Sequence, residues 1–262
     1  MFSRFESHGV NSLSAFKALF SSQRLSPDGT VHCTAAPLQF SSPRTSSGCL
    51  DGNWRVLKAG SEVYVGQTLD DHRHGRGALL TYKASTGGDE TAVLHVGEFV
   101  QGLREGAAVV CTSRGETFAG RYADDVPWGP GCYSGASAPA AGGEAAAAVL
   151  RHFKGMFNGM PKGQGQIIWR DGRQQAGLFN GSCCYQALDE AQVMGVAVLA
   201  DGCGQAAVEM AHTIRAELQQ QPDIWQHAAA MFAAVPWEAA LHAAVDSEQP
   251  PPAASQPPPP AS

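Results

Sequence analysis

The spacing of apolar and polar residues divides the chain into segments of different character. Between about residues 52 and 181, apolar and polar positions alternate with a period of two, as from Phe153 to Phe157. Each alternating run ends at a short turn sequence such as Asp171-Gly172. This combination is typical of β-hairpins. The centre of the chain is therefore predicted to be a row of antiparallel strands.

The spacing changes to a helical one after residue 182. Apolar residues such as Val208 and Ala211 recur there at intervals of three and four, which indicates one face of a helix. Pro222 is expected to end the first helix, and Pro236 to break the next one. Residues 187–246 are therefore predicted to form a strand and helical segment that packs on or caps the sheet.

The two ends of the chain differ in composition from the centre. Residues 1–50 form a serine-rich leader, predicted to be disordered, whose only acids before residue 49 are Glu6 and Asp28. Scarcity of acids also fits an organellar transit peptide, which stays an open alternative. Residues 247–262 are proline-rich and are predicted to be extended and disordered.

The alternating region contains an internal repeat. Five segments share the start aromatic-x-Gly-x-aromatic, wholly or in part, and begin at Tyr64, His95, Phe118, Phe153 and Gln175. The starts are 31, 23, 35 and 22 residues apart. Removing the small-residue stretches KASTGGDE and SGASAPAAGGEA reveals a period of roughly 23 residues. Loops accept such insertions because closure cost grows only logarithmically with length. The segment that leads into Tyr64, WRVLKAGSEVYVG, supplies the second strand of a further, degenerate unit, with its turn at Ala59-Gly60.

These units resemble the MORN repeat, whose pattern is roughly Y-x-G-x-F-x-x-G-x-x-x-G-x-G followed by a strand and a turn. The matching residues are Tyr64, Gly66, Gly75 and Gly77; Gly97, Phe99, Gly102 and Gly106; Phe118, Gly120, Tyr122, Gly129 and Gly131; and Phe153, Gly155, Phe157, Gly163 and Gly165. The sequence departs from the pattern at Thr68, Asp71, Ala108 and Asp125. The resemblance implies a mainly β fold, an elongated single-layer antiparallel sheet over residues 51–182, with a helical C-terminal segment.

The repeated glycines suggest how the hairpins pack. A glycine between two residues of the same face leaves room for a ring from the neighbouring hairpin to lie over its backbone. A lone hairpin is marginal in water, so stacking of neighbours has to supply the stability. The first two units, which depart most from the pattern, are expected to pack less well. The candidate packing or partner-binding rings are Tyr64, Phe99, Phe118, Tyr122, Phe153, Phe157 and Phe179.

The resemblance implies a non-enzymatic scaffold for protein assembly, including self-association, in a ciliary, cytoskeletal or membrane-proximal complex of the cytoplasm. A second hypothesis is binding of anionic phospholipid headgroups by cations at the hairpin turns. The candidate lipid-facing residues are Arg73, Arg76, Arg104 and Lys162. Neighbouring acids such as Asp70 and Glu105 offset these charges, so solvated turns are the simpler interpretation.

A weaker resemblance concerns ALDEAQVMGVAVLADGCGQAAVEMAHTIRAEL, residues 187–218. It is similar to the opening of PPM-type metal-dependent protein phosphatases, in which an acidic pair precedes a strand, a D-G-H-G-G turn and a helix. Asp189 and Glu190 would be the acidic pair, while Asp201 and Gly202 would ligate metals. DGCGQ departs from that motif, so the alternatives are an ordinary strand, Asp-Gly surface turn and helix, or a truncated inactive phosphatase.

Composition limits the kinds of partner and cofactor that the protein is expected to bind. Net charge is -6 and only 16% of residues are charged, so nucleic acid is not an expected partner. Seven cysteines without a metal-like spacing indicate reduced thiols. His72 and His74 fit the repeat pattern, so we predict that they bind no metal. The sequence contains no catalytic or cofactor-binding motif, so we also predict no catalytic residue and no cofactor. No run of 18 apolar residues is present, so no transmembrane segment is expected.

Overall fold

The computed structural model describes residues 54–84, 90–135, 150–169 and 172–245. These ranges contain eleven strands and three helices. The strands are β1 (Trp54–Ala59), β2 (Glu62–Leu69), β3 (His72–Ala84), β4 (Glu90–Val100), β5 (Leu103–Thr112), β6 (Thr117–Ala123), β7 (Val126–Ser134), β8 (Leu150–Asn158), β9 (Met160–Trp169), β10 (Gln174–Asn180) and β11 (Cys183–Ala187). The helices are α1 (Glu190–Gln219), α2 (Pro222–Ala233) and α3 (Trp237–Val245).

The strands form one open antiparallel sheet in which each strand pairs with its neighbours in sequence, from β1 to β11. This confirms the predicted fold class, a mainly β single-layer sheet with a helical C-terminal segment. The degenerate first unit contributes β1, and the sheet continues through β11 to Ala187. The predicted disordered leader and proline-rich tail lie outside the described residues.

The hairpin turns explain two departures from the repeat pattern. Asp70 and Asp71 connect β2 to β3 with φ values of 49° and 59°, and Asp124 and Asp125 connect β6 to β7 with 49° and 67°. Two successive positive φ angles define the tight turn that matches strand twist in a hairpin. Aspartate tolerates this left-handed conformation better than most residues. The aspartates therefore adopt the backbone conformation that glycine would otherwise supply.

The repeated glycines make room for aromatic rings, but these rings do not come from the neighbouring hairpin. A Cβ on Gly120 would lie 2.7 Å from Phe118 Cζ, and a Cβ on Gly155 would lie 2.7 Å from Phe153 Cζ. Each ring thus folds over the glycine two residues later in its own strand, and the prediction of a ring from the neighbouring hairpin is wrong. The ring of residue i reaches the i+2 position because both side chains project from the same face. In the second unit, the Ala108 methyl group fills this space instead.

The strand register shifts after the repeat glycine in several of the hairpins. Gly66, Gly120 and Gly155 each pair with a glycine on the next strand, and the register changes directly afterwards. A bulge of this kind bends the strand and increases its twist. Because the bulge recurs at equivalent positions, the sheet is bent in the same way from hairpin to hairpin.

The helical segment begins differently from the prediction. The Asp189 side chain accepts a hydrogen bond from the Gln192 backbone at 2.8 Å, which caps α1. The helix then runs without interruption to Gln219, so the predicted strand and Asp201-Gly202 surface turn are wrong. A short apolar run cannot by itself distinguish a strand from a buried helix. Here Val193 is buried at helical spacing from the later buried residues, so it belongs to the buried face of the helix.

One face of the sheet is covered by the helices. Starting beside β11, α1 crosses the strands from β10 to β3, while α2 contacts β1 and β2 and α3 contacts β5 to β7. Sheet residues such as Val65, Leu94 and Val109 pack there against Ile214 and Leu218 of α1. All five are fully buried, so this interface is the main hydrophobic core.

By length and composition, α1 is also apolar enough to cross a membrane. The helix has 30 residues, and its most apolar window is 28% buried. This is a weak indication, because core helices of soluble folds meet the same criteria. Its packing on the sheet through Ala207, Ala211 and Ile214 accounts for part of its apolar character.

Candidate functional site

The face of the sheet opposite the three helices carries a continuous row of aromatic rings. Neighbouring centroids are between 4.9 and 5.7 Å apart, with interplanar angles from 68° to 86°. Rings prefer this edge-to-face geometry because the positive edge of one meets the negative face of the next. Along the sheet the row is formed by Tyr64, Phe99, His95, Tyr122, Phe118, Phe157, Phe153 and Phe179.

All seven predicted rings belong to this row, and each is at most 3% exposed. The row is therefore internal packing between hairpins and does not present open rings to a partner. Tyr64 and Phe99 of the first two units are 2% and 1% exposed, so burial shows no difference between early and late units. The eighth member, His95, was missed as a site residue, although it stands at the aromatic start of the second unit.

His95 is an unusual member of the row. Its ring lies 5.1 Å from Phe99 and 4.9 Å from Tyr122, and only 2% of the residue is exposed. Neither ring nitrogen has a hydrogen-bond partner among the described residues. Burial holds the pKa of His95 well below its ordinary value, and the nearby charges of Arg104 and Arg73 lower it further. His95 is therefore a neutral, unsatisfied ring inside an apolar stack.

Arg104 of β5 lies over the middle of the row, beside the turn between β6 and β7. Its guanidinium carbon lies 5.0 Å from the centroid of the Tyr122 ring. Asp125 accepts from the Arg104 backbone N–H at 2.8 Å and from its Nε at 3.0 Å. Burial raises the pKa of Tyr122 to about 12. The Arg104 guanidinium therefore packs on the Tyr122 ring and is held in place by the Asp125 carboxylate.

The other turn cations do not gather into one basic surface. Arg73 forms an ion pair with Glu62 at 3.0 Å beside the ring row. Arg76 instead pairs with Glu217 of α1, on the helix-covered side of the sheet. Lys162 is exposed and has no ion-pair partner within the described ranges. The four predicted lipid-facing residues thus include three that are already ion-paired.

A hollow at the β1–β3 end of the ring row is the next candidate. It has a volume of about 200 Å³ and is lined by Leu57, Tyr64, Arg73 and Leu79, among others. Pockets for organic ligands usually enclose roughly 300 to 1,000 Å³. This hollow is therefore too small to suggest a substrate site.

The outer face of α1 is the most exposed apolar surface among the described helices and strands. Met194, Val198 and Leu199 are 60%, 65% and 41% exposed, and Tyr185 on the adjoining edge strand β11 is 63% exposed. Between Glu190 and Glu209 the helix has one charged residue, Asp201. We call Met194, Val198 and Leu199 the outer face of α1.

Asp201 is turned toward the sheet and neutralised there. Its carboxylate lies 2.8 Å from Nζ of Lys154 on β8, a residue that is 8% exposed. Cys132 Sγ donates to the Ala200 carbonyl at 3.4 Å, and burial, aided by Asp201, raises the pKa of Cys132 to about 12. Asp201 is thus the ion-pair partner of a buried lysine, and it lies within α1 instead of at the strand-to-helix turn that the phosphatase resemblance implies.

The described residues contain no group of three or more His, Cys, Asp or Glu that could hold a metal ion. His72 Nδ1 contacts the Asp70 carbonyl at 2.6 Å, and His74 Nδ1 accepts from the Gln101 N–H at 3.4 Å. Each imidazole of this pair therefore has a local structural partner.

Comparison with known families supports the assignment of the sheet. The family model described as MORN repeat matches residues 95–109, 118–137 and 155–172. A search of curated proteins gives no match. The phosphatase resemblance receives no support from these comparisons. The three matched segments begin on β4, β6 and β8 and continue beyond the following turn of each hairpin, so the match supports the repeat that the sequence predicts for these central hairpins.

Proposed function

We propose that the protein is a non-enzymatic scaffold that binds another protein through the outer face of α1. The observation that carries this proposal is the exposure of Met194, Val198 and Leu199 on one uncharged helix face. Contiguous exposed apolar groups are unfavourable in water and mark interaction surfaces. Depletion of charge is typical of the centre of a protein interface.

The sheet suits the role of a rigid support for this helix. Its aromatic row is closed within the fold, and its opposite face is occupied by α1 over most of the strands. The main core therefore holds α1 by its buried side while leaving the outer face available. MORN repeats are generally interaction modules and generally non-catalytic, which favours a scaffold over an enzyme.

We further propose that the partner belongs to a ciliary, cytoskeletal or membrane-proximal assembly, as expected for MORN repeats, and that a second copy of the chain is one form such a partner takes. The alternative, binding of lipid headgroups, is less favoured because Arg73, Arg76 and Arg104 already have carboxylate partners. Their release would require breaking contacts that stabilise the fold.

The experiment compares the full-length protein with the double variant Met194→Glu/Val198→Glu. Both proteins are used as bait in native extract, and the captured proteins are quantified. His212→Glu is the control, since it adds one carboxylate, against two in the double variant, at an exposed position of α1 beyond the apolar part. Parallel flotation with neutral and anionic vesicles at two salt concentrations tests the lipid alternative.

We expect the double variant to lose the captured partner while His212→Glu retains it. Capture that is equal for all three proteins would reject the outer face as the binding surface. Salt-sensitive flotation with anionic vesicles alone would favour the lipid alternative.

A further inference from the structure

A second surface lies in the helical layer, where α1, α2 and α3 meet. It is a groove of about 460 Å³ lined by Trp225, Phe232, Trp237 and Pro236, among others. The Trp225 and Phe232 centroids are 6.3 Å apart, and the Phe232 and Trp237 centroids are 5.1 Å apart. Arg215, on its rim, is roughly 24 Å along α1 from the outer face, so the scaffold proposal does not involve this groove.

The groove has hydrogen-bond donors without acceptors. Trp237 is 3% exposed, and its indole Nε1 has no partner in the part of the chain that the structure describes. Arg215 pairs with Glu238 through Nη1, but its Nε is likewise unpartnered there. Unsatisfied buried donors are costly. They therefore favour a ligand that brings carbonyl oxygens to an aromatic wall.

A polyproline segment has this chemistry. Its backbone carbonyls are not used within its own helix, its prolines have no N–H donors, and its rings pack flat on tryptophan and phenylalanine. Aromatic-lined grooves bind such segments at low entropic cost because the polyproline II conformation is already extended. An α-helical ligand would instead have most of its carbonyls satisfied internally.

We propose that the groove binds a polyproline segment and that its occupant is residues 249–260 of the same chain. These residues read QPPPAASQPPPP and follow the last residue of α3, Val245, after a short spacer. From Trp237 to Val245, α3 is about 12 Å long. The spacer 246–249 can extend by roughly 13 Å, so the prolines can reach back along α3 to the groove.

The test uses full-length protein with ¹⁵N-labelled tryptophan indoles, each assigned by single Trp→Phe replacement. It is compared with a full-length variant in which Pro250 to Pro252 and Pro257 to Pro260 are all serine. A peptide QPPPAASQPPPPAS is then added to the serine variant, and the same peptide with serine for proline is the matched control. Trp128, 44% exposed on β7 and not among the residues that line the groove, reports on the sheet.

We expect the Trp225 and Trp237 signals to shift in the serine variant while Trp128 stays in place. The proline peptide should return both signals toward their original positions, and the serine peptide should leave them unmoved. Identical Trp225 and Trp237 signals in the two full-length proteins would overturn the proposal. A difference that disappears on dilution would overturn it as well, because the occupant would then be the tail of a second copy.

Discussion

Replacing His95 with phenylalanine tests the physical basis of the aromatic row. The substitution removes two ring nitrogens that are buried without hydrogen-bond partners among the described residues and leaves an aromatic ring between Phe99 and Tyr122. An unsatisfied buried polar group costs roughly 1 to 3 kcal/mol. Phenylalanine is slightly larger, so some of this gain is lost to tighter packing. We expect His95→Phe to raise the free energy of unfolding by about 1–2 kcal/mol.

The same substitution should change how stability depends on pH. Burial lowers the pKa of His95 in the folded state, whereas the unfolded chain takes up a proton near pH 6.5. Above about pH 6.5 both states are neutral and the residue contributes no pH dependence. As the pH falls below that value the unfolded state binds the extra proton, so the wild-type protein should lose about 1.4 kcal/mol per pH unit from this residue.

Urea unfolding between pH 8 and pH 5 measures both effects. The stability difference between His95→Phe and wild type should widen as the pH falls. His212→Phe is the control for removal of an exposed histidine from α1. A His95→Phe protein that is no more stable than wild type, with the same slope below pH 6.5, would show that the ring is solvated or hydrogen-bonded.

Three further predictions concern stability. Phe157→Ala should cost about 3 kcal/mol in chemical denaturation because the ring is 3% exposed, and a loss below about 0.5 kcal/mol would reject the buried row. Asp71→Gly should stabilise by about 1 kcal/mol by relieving its left-handed backbone, because the ion pair that it loses with Arg55 is exposed and contributes little. Asp125→Gly should destabilise because the less exposed Arg104 loses its carboxylate, and equal effects of the two substitutions in thermal unfolding would contradict this. Asp201→Asn should cost about 1 kcal/mol because Lys154 is left buried, discounted for the half-exposed carboxylate, and an unchanged urea midpoint would argue against the ion pair.

The sheet was predictable because its signals are periodic and local. Alternation at period two, a recurring aromatic-x-Gly start and turn sequences such as Ala59-Gly60 specify hairpins without reference to distant residues. Sequential pairing of neighbours then follows from short connections. The same reasoning explains why the degenerate strand β1 could be found ahead of the first clear unit.

Local, periodic signals could not predict two other features. These are which strand supplies the ring over each repeat glycine, and where α1 begins. A glycine between two inward positions shows that a ring needs space, but not whether the ring comes from the same strand. The run without charged or polar side chains from Val193 to Ala200 fits a strand as well as a helix, and the cap at Asp189 decides between them.

The candidate site depended on tertiary contacts between remote residues. Arg76 and Glu217 are separated by 141 positions, and Lys154 and Asp201 by 47, so the sequence contains no local signal for either ion pair. The basic turns were inferred from residue type, and the role considered for Asp201 came from a motif resemblance alone. Exposure of the outer face of α1 likewise became visible only once the buried side of that helix was known.

The most direct test of the scaffold proposal is site-specific photo-crosslinking from Val198. A benzophenone amino acid replaces Val198, which is 65% exposed, and illumination in native extract traps whatever lies against the outer face of α1. The same amino acid at His212 is the control. We predict discrete protein adducts from position 198 and not from position 212. Absence of protein adducts at position 198, or adducts with lipid alone, would contradict the proposal.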